Sequence, residues 1–153
     1  MNSKFGVPYD AIEDFIKAHN LEEDNPEYLL SLAEEYLEIK QYKMTAKLYS
    51  KLIHMMPENV CMWDAFSQFA AINSDFDIAR TIINEGLKHN PDSALLNYRM
   101  AAYFVLEEDY VEGIRLLKET LKKHPEEINY FLDSFEFMND EEIIDIINKY
   151  GKI

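Results

Sequence analysis

Three histidines occur at regular intervals and are the first candidates for chemistry. His54, His89 and His124 are each 35 residues from the next, and each stands shortly before a proline. Histidine is a frequent metal ligand and general base. A metal, however, needs its ligands within about 2 Å, and residues at equivalent positions of a repeat are spread apart. The histidines therefore predict helix ends, where an imidazole faces the negative end of the helix dipole.

Other catalytic patterns are missing from the sequence. Adjacent carboxylates such as Glu34 and Glu35 point in different directions on a helix, so they do not form an acid–base pair. The spacings Glu-x-x-His and His-Glu-x-x-His do not occur, and four scattered glycines make no phosphate-binding loop. Cys61 is the single cysteine, and no cation lies near it in sequence to activate its thiol. We therefore expect no enzyme activity, no metal and no cofactor.

Composition and charge narrow the class of protein. Apolar residues make up 48% of the 153 residues, with only 4 glycines and 5 prolines, which favours a helical domain with a sizeable core. The net charge of −14 disfavours nucleic acid and anionic membranes as partners. The stretch "MNSKFGVPYDAIEDF" has no apolar run that could act as a signal peptide. We expect a soluble, cytoplasmic protein.

An internal repeat of 34 residues organises the chain. Pro57, Pro91 and Pro125 are each 34 residues apart. Each segment that ends at one of these prolines predicts two helices joined by a polar turn, and the first helix has a large residue followed by a large–small pair and another large position. These positions are Leu29, Leu32, Ala33 and Tyr36; Trp63, Phe66, Ser67 and Ala70; and Asn97, Met100, Ala101 and Phe104. Small residues that would let the second helices pack closely follow at Thr45, Ala79 and Gly113.

This pattern resembles the tetratricopeptide repeat (TPR) family. The family motif has Trp-x2-Leu-Gly-x2-Tyr, then Ala-x3-Phe, then Pro, in a period of 34 residues. The second segment matches it best, through Trp63, Phe66, Ala79 and Pro91. Thr45 and Gly113 depart from the usual alanine. The resemblance implies an all-α solenoid of antiparallel helix hairpins with terminal capping helices.

The resemblance also sets the expected boundaries. We expect a lead helix and an acidic linker in residues 1–25, three repeats in residues 26–125, and capping helices in residues 126–153. The approximate repeat frames are 26–59, 60–93 and 94–127. Asp75, Asp109 and Asp140 are predicted helix N-caps.

A second apolar stripe on the helix "LLNYRMAAYFVL" indicates the function. A helix that is apolar nearly all round must be covered on more than one side. In the TPR family the equivalent stripe lines a concave groove that binds peptides, which implies a non-catalytic protein–protein interaction module. The implied partner-binding residues, apolar toward one end and acidic toward the other, are Leu30, Glu34, Leu37, Cys61, Asp64, Gln68, Leu95, Tyr98, Ala102 and Val105.

The expected partner is a protein segment that is apolar with a basic flank. Some TPR proteins instead grip acidic chain ends with a carboxylate clamp of Lys, Asn and Arg. Here only Arg99 is basic among the matching positions, which disfavours a clamp.

Three alternatives stay open. The stripe could be buried in a homodimer of a structural subunit. The groove could instead be filled by the chain's own Phe5, Val7 and Tyr9. The lysines of the second helix, Lys40, Lys43, Lys47 and Lys51, could be a solvated outer face or a docking strip for an acidic partner.

Overall fold

The protein is helical throughout the part that the structure describes. The structure is a computed structural model that describes residues 25–72, 75–133 and 141–150. The helices are α1 (Pro26–Glu38), α2 (Tyr42–Met55), α3 (Val60–Ile72), α4 (Phe76–His89), α5 (Ala94–Leu106), α6 (Tyr110–Lys123), α7 (Asn129–Leu132) and α8 (Glu141–Tyr150), with a 3-10 turn at Pro125–Glu127. None of these helices is long and apolar enough to cross a membrane.

The predicted all-α class of antiparallel helix hairpins is confirmed. Helix α1 packs on α2, and α5 packs on α6, each pair being joined by a short turn. Helices α1 to α6 fall inside the three predicted repeat frames, and the frames themselves stay a prediction. The predicted lead helix of residues 8–19, the linker residues 21–24 and the Asp140 cap lie outside the described residues.

The described residues form two compact units, 25–62 and 63–150. We call them unit 1 and unit 2. Unit 1 has its core between α1 and α2, where Leu29, Ala33, Thr45 and Leu52 are fully buried. Unit 2 has its core among the helices that follow, and Ala101 and Leu117 belong to it. The close-packing positions predicted from the repeat are therefore in the cores.

Helix starts follow the side-chain chemistry of their N-caps. The Asp75 carboxylate accepts a hydrogen bond from the backbone N–H of Ile78, and Asp109 does the same for Glu112, which confirms these two predicted caps. By contrast, Gln41 makes no side-chain bond at the start of α2. The turn before α2 contains Lys40 with a positive φ of 62°, a conformation that residues with a side chain seldom adopt.

Close helix packing requires glycine at one position of α4. A Cβ atom on Gly86 would lie 2.8 Å from Cγ of Trp63, closer than side chains normally approach. Trp63 also stacks on His89, with ring centroids 5.9 Å apart. The absence of a side chain at residue 86 therefore lets α4 lie directly against the tryptophan of α3.

Candidate functional site

The second apolar stripe of α5 is covered by the chain's own C-terminal residues. Tyr98, Ala102 and Val105 are buried in one apolar cluster. The residues that share this cluster from the C-terminal helices are Ile128, Phe131, Ile143, Ile146 and Ile147. The prediction that these three residues of α5 face a partner is therefore corrected: they belong to the core of unit 2. Leu95, at the start of the same helix, is half-buried.

Tyr98 is held by a specific polar contact as well as by packing. Its hydroxyl group donates a hydrogen bond to the backbone carbonyl oxygen of His124, 2.5 Å away. Burial, followed by the nearby charge of Glu127, raises the pKa of Tyr98 from 10.0 to about 12. The hydroxyl is therefore a neutral donor fixed at the C-terminal end of α6 at neutral pH.

Asp64, the predicted acidic contact in unit 2, forms an internal ion pair. Nε of Arg99 lies 2.6 Å from Oδ1 of Asp64, and Nη2 lies 3.0 Å from Oδ2. Gln68 donates a further hydrogen bond of 2.8 Å to Oδ2. Both charged side chains are nearly buried. The prediction that Asp64 is free to attract a basic partner is corrected, because its carboxylate is already occupied by a bidentate guanidinium.

A second polar contact joins the same two helices. Oγ of Ser67 lies 2.8 Å from the hydroxyl oxygen of Tyr103, and Ser67 also donates to the backbone oxygen of Asp64. Burial raises the pKa of Tyr103 to about 12. These contacts fix the register of α3 against α5. They were not predicted, although the separations of 35 and 36 residues along the chain are a usable signal.

Unit 1 carries the remaining predicted site residues. Leu30 and Leu37 are half-buried on α1, whereas Glu34 and Cys61 are exposed. A cleft lies beside Leu30, between the start of α1 and the segment that joins α2 to α3. Its lining residues are Asn25, Pro26, Glu27, Leu30, Met56, Asn59 and Met62. We call this the unit 1 cleft; sequence analysis gave Leu30 and missed the two methionines.

The histidines have structural surroundings. Nδ1 of His54 lies 2.6 Å from the backbone oxygen of Ser50 in the last turn of α2. His89 ends α4 and stacks on Trp63, and His124 is the C-cap of α6. Within residues 25–72, 75–133 and 141–150, no group of three potential ligands is placed to hold a metal ion.

Comparison with known proteins places this architecture. No protein-family model matches the sequence, and no curated protein matches it. Among solved structures, MamA (residues 41 to the end) from Desulfovibrio magneticus RS-1 is 18% identical, with a TM-score of 0.62 over 96% of this chain and 81% of that one. A thermophilic TPR protein of Thermus thermophilus, TTC0263, gives 14% identity and a TM-score of 0.54, covering 94% and 88%. The chain has a TPR-like fold.

A third TPR structure contains a ligand. The TPR2B domain of yeast Sti1, in a complex with pHsp70, is 18% identical to this chain, with a TM-score of 0.53 over 82% of this chain and 94% of that one. In the TPR-like fold of the present chain, Arg99 is committed to Asp64. The residue that a carboxylate clamp would need is therefore already paired.

Proposed function

We propose that this chain is a non-catalytic protein-interaction module whose unit 1 cleft binds an apolar peptide or helix that has a basic flank. The observation that carries the proposal is the combination of Leu30, Met56 and Met62 along one cleft with Glu27 beside them. Glu27 is exposed, and Leu30 is half-buried. The cleft therefore offers apolar contact area next to a negative charge.

The chemistry of the cleft defines the class of ligand. Methionine is flexible and polarizable, so Met56 and Met62 can adapt to different apolar side chains. Glu34 follows Leu30 by one turn of α1 and is exposed, so the acidic face continues along the helix. An apolar anchor followed by a lysine or arginine would place each group against its complement.

The fold supports an interaction role. The TPR2B domain of Sti1, which has the same fold, is seen with pHsp70. In this chain the pairing of Arg99 with Asp64 leaves that arginine with no capacity for a partner's carboxylate. We therefore propose a ligand with a basic flank and not one with an acidic chain end.

The homodimer alternative has lost its motivating observation. It required the stripe of Tyr98, Ala102 and Val105 to be free for a second copy. These residues are buried against Phe131 and Ile143 of the same chain. A dimer that uses this stripe would first have to displace the C-terminal helices.

The test of the proposed function compares two exposed or half-exposed apolar positions. Peptides are selected from a random display library with the wild-type protein, and their affinities are then measured for Leu30→Ala and for the control Ile78→Ala, an exposed residue of α4. We expect enrichment of apolar–basic sequences and a loss of about 10-fold or more for Leu30→Ala, as is usual for an apolar anchor. Equal affinities for the two variants would show that the cleft is not the binding site.

Self-occupation of the cleft has a separate test. Asn25 lines the cleft, so the residues that precede it in the chain start at its edge. Phe5, Val7 and Tyr9 are the apolar candidates in that segment. Deletion of residues 1–7 is expected to leave the affinity of a selected peptide unchanged. A gain in affinity would show that this segment competes for the cleft.

A further inference from the structure

Helix α2 carries an exposed basic face. Lys43, Lys47 and Lys51 are exposed and stand one turn apart, so they lie along one side of the helix. Met44, 37% exposed, adjoins this row. We call these four residues the α2 basic face. It is a positive surface, with an apolar contact point, on a protein whose net charge is −14.

This arrangement opposes the stability of the helix that carries it. Helix α2 contains no acidic residue, so like charges stand at spacings i, i+4 and i+8 without a carboxylate between them. Such like-charge pairs destabilise a helix. Lys43 also lies in the first turn, near the positive end of the helix dipole. Gln41 supplies no side-chain cap to offset this.

The other second helices of the fold follow the opposite rule. On α4, Lys88 pairs with Glu85, and on α6, Arg115 pairs with Glu112 and Glu119. Within the residues described, neither Lys43 nor Lys47 has an ion-pair partner. A local rule broken without compensation is the expected signature of a functional surface.

We propose that the α2 basic face docks an acidic amphipathic helix of a partner protein. Carboxylates at the same four-residue spacing would face the three lysines, and an apolar residue beside them would contact Met44. A partner helix can cover this face alone. A nucleic acid or an anionic membrane would extend over neighbouring acidic residues, such as the exposed Glu34 and Glu38 of α1, and would be repelled.

This surface is chemically distinct from the unit 1 cleft. Helix α1, which lines the cleft, has four glutamates and no basic residue, whereas α2 has three lysines and no acidic residue. The two helices of one hairpin therefore suit ligands of opposite charge. The proposal for α2 does not depend on the proposed function of the cleft, and different variants test the two.

The experiment uses a defined probe and two variants with the same change in charge. The probe is a labelled, alanine-based peptide of about 20 residues, long enough to form a helix, with glutamates every fourth position and leucines on the adjoining face. The variant Lys43→Gln/Lys47→Gln/Lys51→Gln is compared with the control Lys88→Gln/Lys122→Gln/Lys123→Gln. Fluorescence anisotropy gives the affinities at about 20 mM and 150 mM salt.

The expected result is specific binding to the α2 basic face. The wild-type protein and the control bind the probe alike, the α2 variant binds about 10-fold more weakly, and affinity falls with salt. The single variant Lys47→Gln gives a smaller loss. The melting temperature of the α2 variant stays equal to that of the wild type or rises slightly, because repulsion along the helix is removed.

Several outcomes would overturn the proposal. They are no binding to the wild-type protein at low salt, equal losses in both triple variants, and tighter binding of the same lysines to phosphatidylserine vesicles or duplex DNA than to the peptide. A wild-type dimer that dissociates in the α2 variant would instead make a second copy of the chain the occupant.

Discussion

The hydroxyl group of Tyr98 bonds to the backbone oxygen of His124 across 26 residues of sequence. The contact joins the middle of unit 2 to the residue at which α6 ends. An aromatic residue that would be an anchor in an open groove is thereby a core residue with a satisfied polar group. Its removal is expected to change stability before it changes binding.

Truncation of Tyr98 tests this assignment. Tyr98→Ala is expected to lower the free energy of unfolding by about 3–5 kcal/mol, because it leaves a large cavity in the apolar cluster. Tyr98→Phe keeps the packing and loses one hydrogen bond, at a cost of about 1 kcal/mol. Urea denaturation measures both, with the exposed Tyr110→Ala as the control, expected to cost roughly 0.5 kcal/mol. A stable Tyr98→Ala protein with weakened peptide binding would return this residue to the binding surface.

Alkaline pH is expected to destabilise unit 2 through its buried tyrosines. Burial raises the pKa of both Tyr98 and Tyr103 to about 12, from 10.0 in the unfolded chain. Between these values the unfolded state releases protons that the folded state keeps, so stability is full below pH 10 and falls as the pH rises toward 12. The loss is at most about 1.4 kcal/mol per pH unit for each tyrosine. Urea denaturation at a series of pH values should give a shallower fall for Tyr98→Phe/Tyr103→Phe, and identical slopes would contradict the assignment.

The Asp64–Arg99 pair is expected to be worth keeping whole or removing whole. Asp64→Ala leaves a nearly buried guanidinium without its partner and is expected to cost roughly 3–5 kcal/mol, whereas Asp64→Leu/Arg99→Met should cost less than the sum of its single variants. A double-mutant cycle measures this coupling energy. The exposed pair Glu85–Lys88 is the control, with an expected coupling of about 0.3 kcal/mol. Equal coupling energies in the two cycles would mean that Asp64 and Arg99 behave as surface groups.

The close approach of α3 and α4 can be tested at Gly86. Alanine favours a helix over glycine by about 1 kcal/mol, yet a Cβ at this position would collide with the Trp63 ring. We expect Gly86→Ala to lower the free energy of unfolding by about 1–3 kcal/mol in thermal or urea denaturation. Asn84→Ala, at an exposed site of the same helix, should be neutral or slightly stabilising. An unchanged stability for Gly86→Ala would show that the two helices separate easily.

The periodic part of the fold could be predicted from sequence because each repeat position has one physical requirement. Ala33 and Thr45 must be small where helices meet, and both are fully buried. Asp75 and Asp109 stand where a carboxylate caps a helix, and both do so. The predicted N-terminal helix lies outside the described residues, so it stays a prediction.

The site was predicted less well because an apolar pattern shows that a surface is covered and not what covers it. The stripe that includes Tyr98 and Val105 is covered, as expected for a helix apolar on two sides, but the cover comes from Phe131 and Ile143. Burial by a partner and burial by the same chain leave identical patterns on α5. The pairing of Asp64 with Arg99 was missed because each residue was assessed within its own repeat.

The order of synthesis gives the covered stripe of α5 a further consequence. A ribosome completes α5 before it makes Phe131, Ile143 and Ile147, so a nascent chain that ends near residue 125 has an uncovered apolar face at Tyr98 and Val105. Exposed apolar surface on incomplete chains promotes aggregation and chaperone binding. Chains truncated after Pro125 should therefore be retained by chaperones or become insoluble, and a stop codon late in the coding region would remove the whole protein from the cell.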